Sequence, residues 1–298
     1  MSGSTQASTA CAGAWNSGTN EIMITRREFV AGSLAAPLAA AGPKGLKIGV
    51  MDGVVRQSGK PQALAQAKRF GFEGLQVTLG RATPDGKLPL EDAALQAAYL
   101  AEAAKQRVVI NATYVDILHV NCLKDDKLAP QWVLKGIDVT KKLKAGILMT
   151  VFFGKCALDG RREIDYVADV FKDLAKEAEK AGVTLGFENL LTAEDSARAM
   201  DRVASRAFKI YYDAGNATNV VGVDAAKEIR WLGRDRICQF HLKDKAYLGE
   251  GKVNFPSVLD AIAGIGFEGY ANLETGAPSG DWESDLKRNV DYLRGLMT

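Results

Sequence analysis

The chain predicts a (β/α)8 barrel, α/β in class and single-domain, preceded by a removable N-terminal segment. From Leu46 onward, short apolar runs alternate eight times with amphipathic stretches. The alternation occupies about 250 residues, the usual span of such a barrel and more repeats than a doubly wound sheet needs. Glycines punctuate the helix-to-strand junctions, where they end a helix at little steric cost. No GxGxxG or GxxxxGK[ST] follows any strand run, so the nucleotide-binding sheets lose their usual support. A composition of 47% hydrophobic and 25% charged residues can bury a sizeable core. The barrel is assigned to residues 42–298.

The strand runs fall at 46–51, 74–79, 107–113, 146–152, 183–188, 208–213, 236–241 and 269–274. Helical periodicity lies between them at 60–71, 91–106, 130–144, 163–181, 193–204, 223–232 and 255–264, with a last helix at 281–297. The stretch Tyr166 to Leu174 places apolar residues at helical spacing. Gly71, Gly146, Gly182 and Gly266 mark helix ends, and Thr192 is placed to cap the helix that follows it. Trp132 and Trp231 fit outer helices and carry no chemistry.

Residues 1–22 are rich in Ser, Thr, Gly and Ala. Arg26-Arg27 then precede a short apolar stretch from Ala31 to Ala41, and Ala39 and Ala41 form an A-x-A-like cleavage site. This order resembles a twin-arginine export signal over residues 1–41, which places the mature protein in the periplasm. A disordered tail with an incidental Arg-Arg is the alternative, and would leave the protein cytoplasmic. The apolar stretch is too short to span a bilayer, so no stable membrane insertion is expected. Met23 competes with Met1 as the start.

Charge narrows the partners. There are 38 basic and 36 acidic residues, a net of +2, with no basic block, so nucleic acid is not expected as a partner. Cys11, Cys122, Cys156 and Cys238 include no CxxC. One lies in the segment expected to be removed and the other three cannot all pair within a monomer, so no disulfide framework is expected. A homo-oligomer is left open.

Four polar residues end the last four strand runs: Glu188, Asp213, His241 and Glu274. Desolvating an acid or a histidine at a strand end is costly unless something compensates it. Four in register at the same end of consecutive strands point to one shared compensator, a divalent metal at the barrel mouth. Three carboxylates and one imidazole make an oxygen-rich ligand set that favours Mn2+ or Mg2+, with Co2+ or Zn2+ also admissible.

Gly186-Phe187-Glu188-Asn189, Tyr212-Asp213-Ala214-Gly215-Asn216, Phe240-His241-Leu242-Lys243-Asp244 and Leu273-Glu274 resemble the motifs of the xylose isomerase-like superfamily. Within it they are similar to the sugar phosphate isomerase/epimerase group, which includes ketose 3-epimerases and inosose dehydratase. The resemblance covers roughly residues 46–298. It implies that Glu188, Asp213, His241 and Glu274 bind one divalent metal. It also implies that Glu188 and Glu274 move protons on opposite faces of an enediolate formed from a small carbohydrate.

Abstraction of a proton alpha to a carbonyl needs a stabilised oxyanion and a positioned base, and this set offers both. Two bases give epimerisation, one base shuttling to the next carbon gives isomerisation, and loss of a beta leaving group gives a lyase or dehydratase. The metal set alone does not choose among them. Asn216 departs from the family's epimerases, which often place a substrate-binding His there. His119, Asn121, Asn216 and Lys243 are the candidate substrate-binding residues, and Phe152 and Phe153 could pack against an apolar sugar face. An endonuclease of the same superfamily needs several more histidines than the two present. A non-catalytic sugar-binding barrel would be expected to have lost a metal ligand, and none of the four is missing.

Overall fold

The computed structural model describes residues 45–81 and 85–298, so the expected export segment at 1–41 lies outside the described residues. Eight parallel strands close into a barrel in sequence order. They are β1 (Leu46–Met51), β2 (Gly74–Thr78), β3 (Val109–Tyr114), β4 (Ile147–Val151), β5 (Thr184–Glu188), β6 (Phe208–Asp213), β7 (Ile237–Leu242) and β8 (Gly269–Leu273). The connecting helices are α1 (Ala63–Arg69), α2 (Ala93–Gln106), α3 (Ala129–Lys142), α4 (Gly160–Ala181), α5 (Ala193–Val203), a short α6 (Ala214–Asn216), α7 (Ala225–Leu232), α8 (Phe255–Gly264) and α9 (Trp282–Met297). Closure is the pairing of β8 with β1, from Leu46 opposite Gly269 to Val50 opposite Leu273. Among the described residues no helix is long and apolar enough to cross a membrane.

Strands covered on both faces read as nearly continuous apolar runs, which is why these segments stand out in the sequence. Outward-facing side chains pack under the helices, with Phe152, Phe171, Phe187 and Phe208 forming one aromatic cluster whose ring centroids lie 4.5–6.2 Å apart. Phe152 therefore belongs to the core. The barrel interior instead carries a buried polar layer of Gln76, Asn111, Tyr211, Gln239 and Asn272. Gly49 and Gly74 make room for it, because a Cβ on either would collide with the Asn111 amide.

Local signals account for most helix ends. Thr192 Oγ1 accepts the Asp195 amide at 3.2 Å, which caps α5, and Asp92 accepts the Leu95 amide at 2.7 Å at the start of α2. Gly71, Gly182 and Gly266 are left-handed where a helix ends, as expected. After α3 the left-handed residue is Lys144, φ 57°, and not the expected Gly146. Arg107 and Ala204 end α2 and α5 in the same way. The geometry each helix needs to turn back into its strand outweighs the preference for glycine there. The 3₁₀ turns Asp116–His119 and Gly154–Cys156, α6, and the π-helical turn Ala217–Val221 are too short to register as periodicity.

Candidate metal centre

Parallel register sets the site. Asp213 pairs directly with His241 across β6 and β7, Val151 pairs with Glu188, and Leu242 pairs with Leu273, the residue before Glu274. Glu188, Asp213, His241 and Glu274 therefore emerge at one end of the barrel, and each offers a ligand atom within 4.8 Å of the others. His241 Nδ1 lies 2.8 Å from Glu188 Oε1, 3.2 Å from Glu274 Oε2 and 3.7 Å from Asp213 Oδ2. The first three residues are buried, while the Glu274 side chain keeps 32% exposure and faces the opening.

Lys243 completes the cluster. Gly215 lets it approach, since a Cβ there would sit 2.6 Å from the Lys243 carbonyl oxygen. Its Nζ lies 2.7 Å from Glu274 Oε2 and 3.0 Å from Asp213 Oδ2. Burial alone would lower the Lys243 pKa, but Asp213 and Glu274 outweigh it and hold the ammonium protonated. Burial likewise opposes a charged His241, yet Glu188 and Glu274 raise its pKa above the ordinary imidazole value. For Asp213 burial wins over Lys243 and pushes the carboxyl up. For Glu274 burial is outweighed by His241 and Lys243, which keep it well below the usual carboxylate range. Three acids thus face two cations, a partial neutralisation only.

The residues fit a divalent metal. Asp213 Oδ1 accepts the Asn216 amide at 2.7 Å, but Oδ2 is buried with no hydrogen-bond donor satisfying it. Lys243 approaches that oxygen at ion-pair distance, outside hydrogen-bond geometry. An oxygen-rich set with one imidazole suits a hard or borderline cation. The chemistry of the donors does not single out one ion.

Beneath the four candidate donors lies a layer that the sequence alone did not point to. His241 Nε2 donates to Gln76 Oε1 at 2.7 Å. That acceptor also takes the Tyr211 hydroxyl at 3.0 Å and Asn272 Nδ2 at 3.1 Å. The Tyr211 hydroxyl in turn accepts from Gln239 and Asn272. The signal was present: Tyr211, Gln239 and Asn272 each stand two residues before one of the four candidate donors, on the same strand face.

A cavity of about 260 Å³ opens above the cluster. Glu188, Glu274, Lys243, Asn216 and His119 supply its polar lining, and Met51, Tyr114, Met149 and Phe153 much of its apolar lining. Asn216 Nδ2 is buried without a partner. His119 Nδ1 is engaged by the Asp116 carbonyl at 3.0 Å and its carboxylate at 3.2 Å, and Asp116 holds the His119 pKa up. Asn121 differs from the other expected pocket residues: its amide donates to Asp126 and it does not line the cavity.

One cysteine pair does form. Cys122 and Cys156 are joined by a disulfide across 34 residues, leaving Cys238 free. The expectation of no framework holds only in the sense that a single bridge is present. That spacing hides the fact that consecutive strands bring their following loops together.

Residues 64–296 match the sequence profile of the family described as xylose isomerase-like TIM barrel. No curated protein sequence matches the chain. Among solved structures, a D-allulose 3-epimerase from Methylomonas sp. superposes with a TM-score of 0.67 at 18% identity, over 86% of this chain and 98% of that one. An L-ribulose 3-epimerase gives 0.70 at 17%, over 85% and 94%. A 3-keto-D-glucoside 4-epimerase from E. coli gives 0.66 at 14%, over 84% and 99%. At these identities the likeness is one of fold.

Proposed function

Because this chain belongs to the xylose isomerase-like TIM-barrel family, we propose that it is a divalent-metal-dependent sugar isomerase or epimerase working through an enediolate. The observation that carries this reading is the four-donor cluster at the cavity floor, with a buried, unsatisfied oxygen on Asp213. Glu188, Asp213, His241 and Glu274 would hold the metal, which when bound supplies charge stabilisation to an oxyanion developing on the substrate. Mn2+ or Mg2+ is favoured by the three carboxylates, with Co2+ or Zn2+ as alternatives.

The protein's own groups divide the remaining work. Glu188 and Glu274 both line the cavity, from β5 and from the residue after β8, and take and return the carbon-bound proton. His241 and Lys243 keep Glu274 ionised, the form a base requires. The unpartnered amide of Asn216 and the imidazole of His119 are placed to bind hydroxyls. Tyr114 and Phe153 offer an apolar surface to the C–H face of a sugar ring.

An elimination on an inosose or a 3-keto-glycoside is the second reading. It uses the same proton abstraction, and Asn216 in place of the epimerases' histidine favours it over ketohexose chemistry. The protein is proposed to act in the periplasm, and the Cys122–Cys156 bridge supports an oxidising compartment. The test is solvent deuterium incorporation by Mn2+-loaded protein incubated with ketoses, inososes and 3-keto-glycosides. Metal-dependent exchange at the carbon alpha to the carbonyl is expected for at least one class. Binding without exchange in every class would leave a sugar-binding barrel and overturn the catalytic reading.

A further inference from the structure

The candidate metal ligands come from β5 to β8, whereas the loops after β3 and β4 supply His119 and Phe153 to the cavity wall. His119 ends the 3₁₀ turn after β3, and Phe153 begins the turn after β4. Their rings stack at 6.1 Å between centroids, with planes 29° apart, and both line the cavity. Phe153 also lies 6.0 Å from the Lys243 ammonium, so the wall reaches the ligand cluster.

Nothing in the barrel's ladder holds these two loops together, because both lie beyond the strand ends. Three contacts do. The Cys122–Cys156 disulfide joins the loops three residues beyond each ring, and both cysteines are buried. Lys124 Nζ crosses the same gap to the Ala157 carbonyl at 2.7 Å and to Glu163 at 3.1 Å. Arg81 reaches from the β2 loop to Asp116 at 3.2 Å, the residue that orients His119. The last two are polar and in part exposed, hence individually weak. The covalent link is the dominant brace.

We propose that the Cys122–Cys156 disulfide is a positioning device that fixes His119 and Phe153 as the substrate-facing wall, while the metal cluster stands independently of it. The cluster rests on strand register and on the polar layer under it, and neither touches the bridge. Breaking the disulfide therefore loosens substrate recognition and leaves metal affinity intact. The part concerning sugar rests on the function proposed above. The brace itself does not.

The test compares oxidised protein with the Cys122→Ser/Cys156→Ser double variant and with wild type reduced by a phosphine. Hydrogen exchange is read at Leu118, Val120, Asn121 and Cys156, whose amides bond only within their own loops. Exchange there should rise about tenfold or more without the bridge, and stay unchanged along β6 and β7. Mn2+ affinity should agree within about twofold among the three forms. With D-allulose as the probe ketose, KM should rise several-fold while kcat moves less. Free thiols at Cys122 and Cys156 in protein recovered from an oxidising compartment overturn the proposal. So does unchanged loop exchange, or Mn2+ affinity that falls together with the loops. If the oxidised protein leaves D-allulose untouched, only its choice as substrate fails, and the exchange and Mn2+ comparisons still decide on the brace.

Discussion

His241 Nε2 donates to Gln76 Oε1 across 2.7 Å in the closed interior of the barrel. The bond fixes the imidazole's orientation, because Gln76 has a carbonyl and not a proton to offer on that side. The other nitrogen, Nδ1, is thereby turned toward Glu188, Asp213 and Glu274. A neutral His241 held this way presents its Nδ1 lone pair to the cluster. An outer hydrogen bond of this kind is how a protein selects which ring nitrogen is a ligand.

Replacing Gln76 by Leu should lower Mn2+ affinity by about 10- to 100-fold while the barrel still folds. It also leaves the Tyr211 hydroxyl and His241 Nε2 without their acceptor, at a stability cost of about 1–3 kcal/mol for each unsatisfied group. Calorimetric titration with Mn2+ and urea unfolding of the metal-free protein measure the two effects separately. Because the chain has two histidines, the ¹⁵N imidazole spectrum can follow the tautomer directly. Wild-type affinity and an unchanged spectrum in the variant would remove Gln76 from the account.

Metal binding should release a proton. Burial disfavours the charged imidazole of His241, but Glu188 and Glu274 outweigh it and raise its pKa above the ordinary value. Without metal, His241 is therefore protonated at neutral pH, and Nδ1 must lose its proton to become a ligand. The sign follows: below the raised pKa, affinity climbs with pH, by about tenfold per unit for one proton released. Titration with Mn2+ in two buffers of different ionisation enthalpy counts the protons. A buffer-independent heat together with a flat pH profile would show that the imidazole is already neutral.

Much of this was legible in the chain. Strand ends at Glu188, Asp213 and His241 could be located because parallel strands buried on both faces leave uninterrupted apolar runs that stop at a charge. Gln76, Tyr211 and Asn272 were harder to see, since a polar residue inside such a run reads as noise until closure brings β2, β6 and β8 around one axis. Cys122 and Cys156 were missed for a similar reason, as adjacency between consecutive loops is a property of the barrel and not of spacing. Asn121, two residues beyond His119, has its amide bonded to Asp126, a partner that spacing in the sequence does not reveal.

Asp52, just past β1, should make stability fall as pH rises from about 4 to 6. Burial pushes its carboxyl up to about 6, against the amides of Gly59 and Thr78, which both bond Oδ2 at 3.0 Å. The folded state then binds more protons than the unfolded state between pH 3.8 and about 6, so this contribution is full below that window and lost through it. The shift corresponds to up to about 3 kcal/mol. Asp52→Asn keeps an acceptor and removes the titration, so the variant should gain on wild type between pH 4 and pH 7 in urea unfolding. Parallel pH profiles for the two proteins would show that Asp52 does not titrate in that range.

Glu188→Gln and Glu274→Gln separate a two-base from a one-base reaction. Each substitution removes a carboxylate from the cluster, so both variants must be studied at saturating Mn2+ with bound metal measured in parallel. Each glutamine is nearly isosteric, and at position 274 it can still accept the hydrogen bond from Lys243. Loss of proton transfer, and not collapse of the site, is then the expected defect, at about 10²- to 10⁴-fold in turnover. If the two carboxylates act on opposite faces of the enediolate, each variant should stop deuterium exchange from one epimer and retain some from the other. If one carboxylate does all the work, its variant alone should abolish exchange from every substrate, while the other shows only weakened metal binding. Should both metal-replete variants exchange and turn over at the wild-type rate, neither glutamate is the base. His119 and Lys243 would then be the remaining polar groups of the cavity able to move the proton.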